Sequence, residues 1–318
     1  MRLNQPLLRL PLAFDAERLA AEIAALPPRA WVPHPNQLPG NEAVMLVTTE
    51  GRLIEDLTGP MAPTEFLRAC PYLMESMAAI GAVWGRCRLM GLSAGAVVPP
   101  HVDTHYYWRT HVRIHVPIVT GPEVTFTCRG ETVNMAAGEC WIFDTFAMHN
   151  VRNARPSPRI HLVMDTVGGE GLWDLIEAAE AGAESRLLAP GSGDGRSLRF
   201  EGLNVTSIMS PWELRYHVDF LRSETEADPL LDATFGRLER FVEGWSGVWA
   251  QHGAAASGIP AYRALIRGVE GELRKTGGER LRLRNTLPLY RMVDELLFTV
   301  DATLSVPADI TRLRSVGS

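Results

Sequence analysis

The region from Arg86 to Asp165 is a succession of short β-favouring segments separated by turn residues, and no other feature restricts the fold as strongly. The expected strands are Arg86–Leu92, Val97–His101, His111–Ile118, Val124–Thr127, Glu131–Met135, Glu139–Phe143, a short piece near Val151, and Arg159–Asp165. Turn sequences such as Cys128-Arg129-Gly130-Glu131 separate neighbouring segments, which favours local antiparallel pairing. Seven or eight strands of this kind predict a mainly β core of the jelly-roll type.

Helical patterns flank this β region on both sides. The predicted helices are Asp15–Leu26, Thr64–Ile80, one after Gly168-Gly169, and then Pro211–Arg222, Pro229–Trp245, Pro260–Lys275 and Leu287–Leu304. A Pro/Gly/Ser-rich stretch at 189–195 interrupts the helical part and is typical of a linker. We therefore predict a β domain with N-terminal helices over 1–184, a linker over 185–200 and a helical accessory domain over 201–318.

Composition and charge exclude several classes of protein. With 31 basic and 37 acidic residues, the net charge is −6 and there is no basic run to follow a phosphate backbone, so a nucleic-acid partner is not expected. The longest apolar stretch, Met77–Trp84, is too short to cross a membrane. The first residues do not resemble a signal peptide, and the cysteines lack Cys-x-x-Cys spacing, so we expect a cytoplasmic protein with reduced thiols.

The histidines concentrate in the β region, where six of the nine fall between positions 101 and 161. In the sequence His101-Val102-Asp103, an imidazole and a carboxylate two residues apart point to the same face of a strand and can chelate one ion. His149, just before the segment near Val151, is the natural third ligand in an antiparallel jelly roll. Two histidines and one carboxylate form the facial triad of non-haem Fe(II) oxygenases.

Arg159 begins the last strand of the β region and shares a strand face with His161. A guanidinium on an inward face is costly to bury without a carboxylate partner, and a dicarboxylic acid could supply that partner through a bidentate pair. The sequence therefore predicts a site for an acidic cosubstrate near Arg159.

Several motifs occur in the order typical of one known family. They are Arg88 to Asp103 with its Pro-Pro-His-Val-Asp ending, Val112-Arg113-Ile-His115-Val-Pro117, Gly138-Glu-Cys-Trp-Ile-Phe-Asp144, His149 and Arg159. The chain from about Leu73 to Gly169 resembles the aspartyl/asparaginyl β-hydroxylases, a family of Fe(II)- and 2-oxoglutarate-dependent oxygenases that includes proline cis-4-hydroxylase-like members. The resemblance implies a double-stranded β-helix, the cupin-like form of the jelly roll.

The resemblance also implies roles for individual residues. His101, Asp103 and His149 would bind Fe(II), Arg159 would bind the distal carboxylate of 2-oxoglutarate, and Arg113 and His115 would make further contacts to cosubstrate or substrate. O₂ would be the second cosubstrate. The family's animal peptide hydroxylases lack the carboxylate ligand, so Asp103 places this chain nearer the proline-hydroxylase-like bacterial members.

Three interpretations of the function stay open at this point. The first is hydroxylation of an amino-acid side chain, free or within a peptide, in the manner of an aspartyl/asparaginyl β-hydroxylase. The second is proline hydroxylase-like activity on a free amino acid. The third is a cupin-like protein that binds a metal or a small acid without oxygen chemistry. The C-terminal helices either support the barrel or dock a peptide or carrier protein.

Some residues near the motifs have simpler interpretations. For His105, His111 and His161 we expect structural roles or hydrogen bonds that support a neighbouring ligand residue. Arg113 and His115 alternate with apolar residues, which fits either a half-exposed strand or a polar face inside the barrel, and we favour the interior. The run Tyr106–Arg109 is expected to form a loop that meets the substrate.

Overall fold

The computed structural model describes residues 3–34, 38–193, 195–204, 208–276 and 278–298, without the side chains of Tyr106 and Arg109. These residues form two compact units. The first contains the described residues up to 102 and those from 110 to 204, and the second contains 103–109 and the described residues from 208 onward.

The strands and helices are numbered here in chain order. The strands within the described ranges are β1 (Leu7–Phe14), β2 (Val32–Pro33), β3 (Asn41–Thr49), β4 (Met61–Pro63), β5 (Val83–Leu92), β6 (Val97–His101), β7 (Val112–Val119), β8 (Val124–Cys128), β9 (Glu131–Val133), β10 (Glu139–Phe143), β11 (His149–Asn153), β12 (Arg159–Gly168), β13 (Arg186–Leu188) and β14 (Arg199–Phe200). The α-helices are α1 (Ala16–Ala24), α2 (Glu65–Arg68), α3 (Pro71–Ile80), α4 (Glu170–Glu180), α5 (Pro211–Glu224), α6 (Leu231–His252), α7 (Ile259–Lys275) and α8 (Leu289–Leu297).

Eight consecutive strands, β5 to β12, form a double-stranded β-helix. In the larger sheet the order β10-β7-β12-β5 continues outward through β1 and β13 on one side and through β3 and β2 on the other. The smaller sheet has the order β6-β11-β8-β9. Successive strands therefore alternate between the two sheets except at the β8–β9 hairpin, which is the arrangement of a jelly roll. The predicted fold class is confirmed, with helices before and after the barrel.

The hairpin between β8 and β9 follows directly from its sequence. Arg129 and Gly130 both have positive φ, 48° and 85°, and Cys128 pairs with Glu131 across the turn. A two-residue turn with positive φ at both positions matches the right-handed twist of the strands it joins. Glycine adopts this conformation without a steric penalty, so the Arg-Gly pair closes the hairpin.

The larger sheet separates an apolar layer from a polar one. On β7, Val112, Ile114, Val116 and Ile118 face a core that includes side chains from the N-terminal helices α1, α2 and α3, and Leu162 and Met164 of β12 join it. Because strand side chains alternate in direction, the residues between them point into the barrel. The β7 sequence thus supplies one apolar face to the core and one polar face to the interior.

The N-terminal helices are tied together by a buried carboxylate. Glu22 of α1 is 8% exposed, and its two oxygens accept hydrogen bonds from the backbone N–H groups of Tyr72 and Leu73 over 2.9 and 3.0 Å. These donors belong to the first turn of α3, where backbone N–H groups have no partner within the helix. Glu22 therefore caps α3 from a neighbouring helix.

Two segments differ from the sequence-based expectation. The predicted helix Thr64–Ile80 is two helices, because Pro71 lacks the N–H needed to continue a helix and instead starts α3. The stretch predicted as a linker, 185–200, is held in the first unit, where β13 pairs with β1 and β14 pairs with β5. Glu75 anchors the intervening loop by accepting hydrogen bonds from the N–H groups of Gly191 and Gly193 over 2.9 and 2.7 Å. Independent folding of 1–184 and 201–318 stays a prediction.

The second unit consists mainly of helices α5 to α8 around its own apolar core. Trp245 of α6 is fully buried, donates from Nε1 to the carbonyl of Met209 over 2.9 Å, and packs against Tyr262 with ring centroids 4.2 Å apart. Ser210 caps α5 as predicted, by accepting a hydrogen bond from the N–H of Glu213. The predicted helix Leu287–Leu304 is observed as α8, and residues 299–304 lie outside the described ranges.

The unit also contains a short 3₁₀ turn at Tyr106–Arg109. None of the helices in the described part of the chain is long and apolar enough to span a bilayer.

Candidate active site

Two histidines and an aspartate meet where β6 and β11 lie side by side. His101 ends β6, His149 begins β11, and the two residues are direct partners in the antiparallel register. Asp103 follows two residues after His101, so chain connectivity keeps its carboxylate nearby. One ligand atom from each of the three residues lies within 4.8 Å of the other two. The structure thus brings the three sequence-predicted ligands together.

The hydrogen bonds of the two imidazoles determine which nitrogen each ring presents. His101 Nδ1 donates to the carbonyl of Pro99 over 2.9 Å, and His149 Nδ1 donates to the carbonyl of Ala147 over 2.8 Å. A carbonyl oxygen can only accept, so in the neutral ring each Nδ1 carries the proton and each Nε2 carries the lone pair. This is the tautomer in which a histidine binds a metal through Nε2.

The donor set fits a divalent transition metal with open coordination positions. Two neutral imidazole nitrogens and one carboxylate oxygen suit ferrous iron, and three protein ligands leave positions for other molecules. His149 is only 3% exposed, whereas His101 and Asp103 are half-buried. The site is therefore anchored in the barrel on one side and open to incoming molecules on the other.

The inner face of the larger sheet is polar and buried. Arg113 and His115 on β7, and Arg159 and His161 on β12, are 9, 5, 4 and 2% exposed. His115 lies between the sheets, and the centroids of its ring and of the Phe126 ring in the smaller sheet are 5.5 Å apart. Burial of this degree favours the interior interpretation of Arg113 and His115 over that of a half-exposed strand.

Arg159 is buried without a carboxylate partner among the described residues. Its Nη1 lies 3.5 Å from the carbonyl of Met90, and its Nε has no hydrogen-bond partner. Burial lowers the pKa of the guanidinium to about 10, which still leaves it charged at neutral pH. A buried cation with an unsatisfied donor fits an anionic group that enters from outside, such as the distal carboxylate of 2-oxoglutarate.

His115 and His161 lie beside Arg159 with unsatisfied nitrogens of their own. The Nδ1 of His115 and both ring nitrogens of His161 have no partner, and the two ring centroids are 5.8 Å apart. Burial and the charge of Arg159 hold both pKa values well below the usual histidine range, so both rings are neutral at pH 7. Neutral imidazoles add donors and acceptors to this pocket without adding charge.

Arg113 is part of a group of linked ion pairs. Its Nε donates to Asp165 over 2.9 Å, and the second oxygen of Asp165 lies 3.6 Å from Arg86 Nε. Arg86 and Arg88 in turn share one oxygen of Glu55, each at 3.4 Å. Three arginines and two carboxylates therefore form a charge network in which Arg88, Arg113 and Asp165 are buried and Arg86 and Glu55 are partly exposed. We call these five residues the arginine network.

Sequence reasoning did not single out the two acidic members of this network. Asp165 lies on the same face of β12 as Arg159 and His161, six residues after Arg159, so the period-two alternation of the strand was the available signal. Glu55 lies outside the regular elements, between β3 and β4, and no periodic pattern indicates it.

Other residues that the sequence analysis considered make contacts typical of structural roles. His111 is 2% exposed and pairs through Nε2 with Glu201 Oε1 at 2.5 Å. His105 Nδ1 accepts from the N–H of Tyr107 over 3.3 Å, within the turn that follows Asp103. Tyr107 itself is buried, and the side chains of Tyr106 and Arg109 lie outside the described residues. All four cysteines are buried free thiols.

A jelly roll with two histidines and an aspartate at one end defines the chain as a candidate metal-dependent barrel protein. Residues 44–168 match the family model described as Aspartyl/Asparaginyl beta-hydroxylase. This part of the chain is therefore similar to that family, in agreement with the resemblance that the motifs around His101 and Arg159 indicate.

Curated relatives are named as proline hydroxylases. An L-proline cis-3-hydroxylase from a Streptomyces species is 30% identical over 152 residues, which are 45% of this chain and 49% of the relative. An L-proline cis-4-hydroxylase from Rhizobium meliloti is 28% identical over 131 residues, which are 39% and 46% of the two chains. The chain thus spans about half the length of the curated relatives it matches.

Solved structures show more distant similarity. An oxidoreductase of the 2OG-Fe(II) oxygenase family from Burkholderia pseudomallei is 14% identical, with 49% of this chain and 80% of that chain covered and a TM-score of 0.35. KdgF from a Halomonas species is 16% identical, with 40% and 80% covered and a TM-score of 0.24. The fold assignment rests on the strand order given above.

Proposed function

We propose that this chain is an Fe(II)- and 2-oxoglutarate-dependent dioxygenase that hydroxylates an amino acid. The observation that carries the proposal is the convergence of His101, Asp103 and His149, with ligand atoms within 4.8 Å of one another. The buried and unpaired guanidinium of Arg159 supports it, because this group needs an anion that the described chain does not supply.

Each residue has a definite task in this proposal. His101, Asp103 and His149 would hold the ferrous ion, which together with 2-oxoglutarate and O₂ would supply the oxidising power to convert a C–H bond into C–OH. Arg159 would bind the distal carboxylate of 2-oxoglutarate, and His115 would contact the cosubstrate between Arg159 and the metal ligands. Burial of His115 and Arg159 limits the access of water, which would compete for the same hydrogen bonds.

The arginine network supports an anionic substrate. Arg86, Arg88 and Arg113 bring three guanidinium groups together around the carboxylates of Glu55 and Asp165. Burial and the neighbouring arginines lower the pKa of Arg88 to about 10. Guanidinium groups bind carboxylates through charge-assisted hydrogen bonds, so this cluster could receive the carboxylate of a substrate.

The same network contains an acceptor for an amino group. Glu55 Oε1 is buried and has no hydrogen-bond partner, while its Oε2 serves Arg86 and Arg88. A carboxylate-binding arginine beside an unused carboxylate oxygen is complementary to the two charged ends of a free α-amino acid. Among the two substrate classes, we therefore favour a free amino acid such as proline over an aspartyl or asparaginyl side chain within a peptide.

The docking of a peptide or carrier protein on the C-terminal helices is retained as a further proposal. α5 exposes Trp212 and Tyr216, which are 75% and 52% exposed and lie one helical turn apart. Replacing both by serine should leave turnover of free amino acids unchanged and reduce only turnover of a carrier-bound substrate. Cytoplasmic location and the absence of a nucleic-acid partner stay predictions.

The test of the main proposal has two stages. Under anaerobic conditions, Fe(II) and 2-oxoglutarate should together give a weak visible charge-transfer band, and His149→Ala should abolish it. Addition of O₂ with a panel of free amino acids and peptides should then release succinate and give one product heavier by one oxygen atom in mass spectrometry. Metal and acid binding without succinate release would instead support the cupin-like binding protein.

A further inference from the structure

His161 is a buried histidine that is not one of the three proposed metal ligands. It is 2% exposed, and neither Nδ1 nor Nε2 has a hydrogen-bond partner. A buried polar group without a partner is costly, and a side chain that leaves two such atoms unpaired is rare in a folded protein. The position therefore suggests that a ligand completes the hydrogen bonds of His161.

The surroundings of His161 indicate where that ligand would lie. Arg159 shares its face of β12, and Arg159 Nη1 reaches the carbonyl of Met90, which is the direct partner of His161 on β5. The guanidinium thus extends along the sheet toward the imidazole. Unpaired atoms of Arg159, His161 and His115 all occur in this part of the barrel, which concentrates unused hydrogen-bonding capacity at one place.

We propose that His161 donates a hydrogen bond to the distal carboxylate of the 2-oxo acid bound by Arg159, and that the two residues together select an acid with a carboxylate at that end. This inference rests on the proposed function. It replaces the structural or ligand-supporting role that the sequence predicts for His161.

Arg159 and His161 would make different contributions to binding the distal carboxylate. Arg159 supplies the positive charge and a fork of N–H donors, and a carboxylate has more acceptor positions than one guanidinium fills. Burial and Arg159 keep the pKa of His161 well below the usual histidine range, so the ring contributes one N–H and no second charge. A single cation and one neutral donor match a carboxylate with a charge of one.

The test measures binding of two acids by titration of the charge-transfer band with Fe(II)-loaded protein under anaerobic conditions. The first is 2-oxoglutarate, and the second is 2-oxopentanoate, which has the same chain length with a methyl group in place of the distal carboxylate. His161→Leu should weaken 2-oxoglutarate binding by about 10- to 100-fold, as expected for a lost hydrogen bond to a charged group, and leave 2-oxopentanoate binding unchanged. His161→Gln, which keeps a donor, should recover part of the loss.

A second measurement separates ligand binding from a structural role. Because His161→Leu removes unpaired buried nitrogens, the melting temperature of the protein without metal and 2-oxo acid should stay the same or rise. The rise in melting temperature that 2-oxoglutarate causes should be smaller in the variant than in the wild type. The matched control is His217→Leu, which removes a buried histidine from α5 in the second unit and should leave 2-oxoglutarate binding unchanged.

Two results would overturn the inference without touching the proposed function: wild-type 2-oxoglutarate affinity in His161→Leu, or an equal loss for both acids. A lower melting temperature of the ligand-free variant together with unchanged affinity would assign His161 a structural role. If the wild-type protein itself shows no charge-transfer band with 2-oxoglutarate, the proposed function fails and this inference fails with it.

Discussion

Asp165 offers a quantitative test of the arginine network. Its side chain is 3% exposed, and it accepts from Arg113 over 2.9 Å while its other oxygen faces Arg86 at 3.6 Å. Asp165→Asn keeps nearly the same shape and removes the negative charge. The guanidinium groups of Arg113 and Arg86 then lose this compensating negative charge in a place with little access to water.

The expected loss can be worked out from the burial of the pair. Removing one partner of a buried ion pair costs about 3–5 kcal/mol in the free energy of unfolding. The entropy of unfolding is about 2.1 cal/mol/K per residue, or about 0.7 kcal/mol/K for 318 residues. The melting temperature of Asp165→Asn should therefore fall by about 4–7 °C in a calorimetric or circular-dichroism melt.

Two further variants identify the cause of the loss. Asp174→Asn removes an exposed carboxylate of α4 and should change the melting temperature by less than about 1 °C. Arg113→Met combined with Asp165→Asn removes both partners and should recover part of the stability, because the uncompensated charge is gone. A drop below 1 °C for Asp165→Asn, or a double variant less stable than the sum of the single losses, would refute the assignment of Asp165 as the compensating charge.

Three shorter predictions concern the site itself. Asp103→Asn should weaken Fe(II) binding at least about 100-fold in an anaerobic metal titration, since an amide is a poorer ligand than a carboxylate, and equal affinity would remove Asp103 from the ligand set. Arg159→Met should raise the dissociation constant of 2-oxoglutarate about 100-fold without lowering the melting temperature of the ligand-free protein, because the lost cation has no carboxylate partner there. The pKa values of His115 and His161 are lowered in the folded state, so unfolding takes up protons below the ordinary histidine pKa of about 6.5. The free energy of unfolding should therefore fall as the pH drops from 6.5 to 5, by up to about 1.4 kcal/mol per pH unit for each ring. Urea melts at several pH values should show that this free energy depends less steeply on pH in His161→Leu than in the wild type.

The barrel could be predicted from the sequence because the patterns that indicate its strands each lie within a few consecutive residues. Strands β5 to β12 alternate in hydrophobicity and are separated by turn residues such as Arg129-Gly130, and both signals can be detected within a few residues. The proximity of His101 and Asp103 was predictable for a similar reason, since their spacing places both on one side of the chain. The structure places His149 opposite His101, as the antiparallel order predicts.

Other features depend on contacts between distant segments, which a single sequence does not reveal. The strands β1 and β3 extend the larger sheet, yet neither was predicted. Glu75 fixes a Gly-rich loop more than a hundred residues away in the sequence, so composition alone indicated a linker there. The pairing of Glu55 with Arg86 and Arg88 likewise joins a loop to a strand, and no periodic pattern encodes it.

The main-chain hydrogen bonds of His101 and His149 affect how the sequence around the site can vary. Each Nδ1 proton is held by a peptide oxygen two positions earlier, at Pro99 and at Ala147. Every amino acid carries that oxygen, so replacing either residue leaves the ring orientation in place as long as the strand keeps its path. The side chains at these two positions are free to change over evolution, and comparison of related sequences would not reveal what orients the rings.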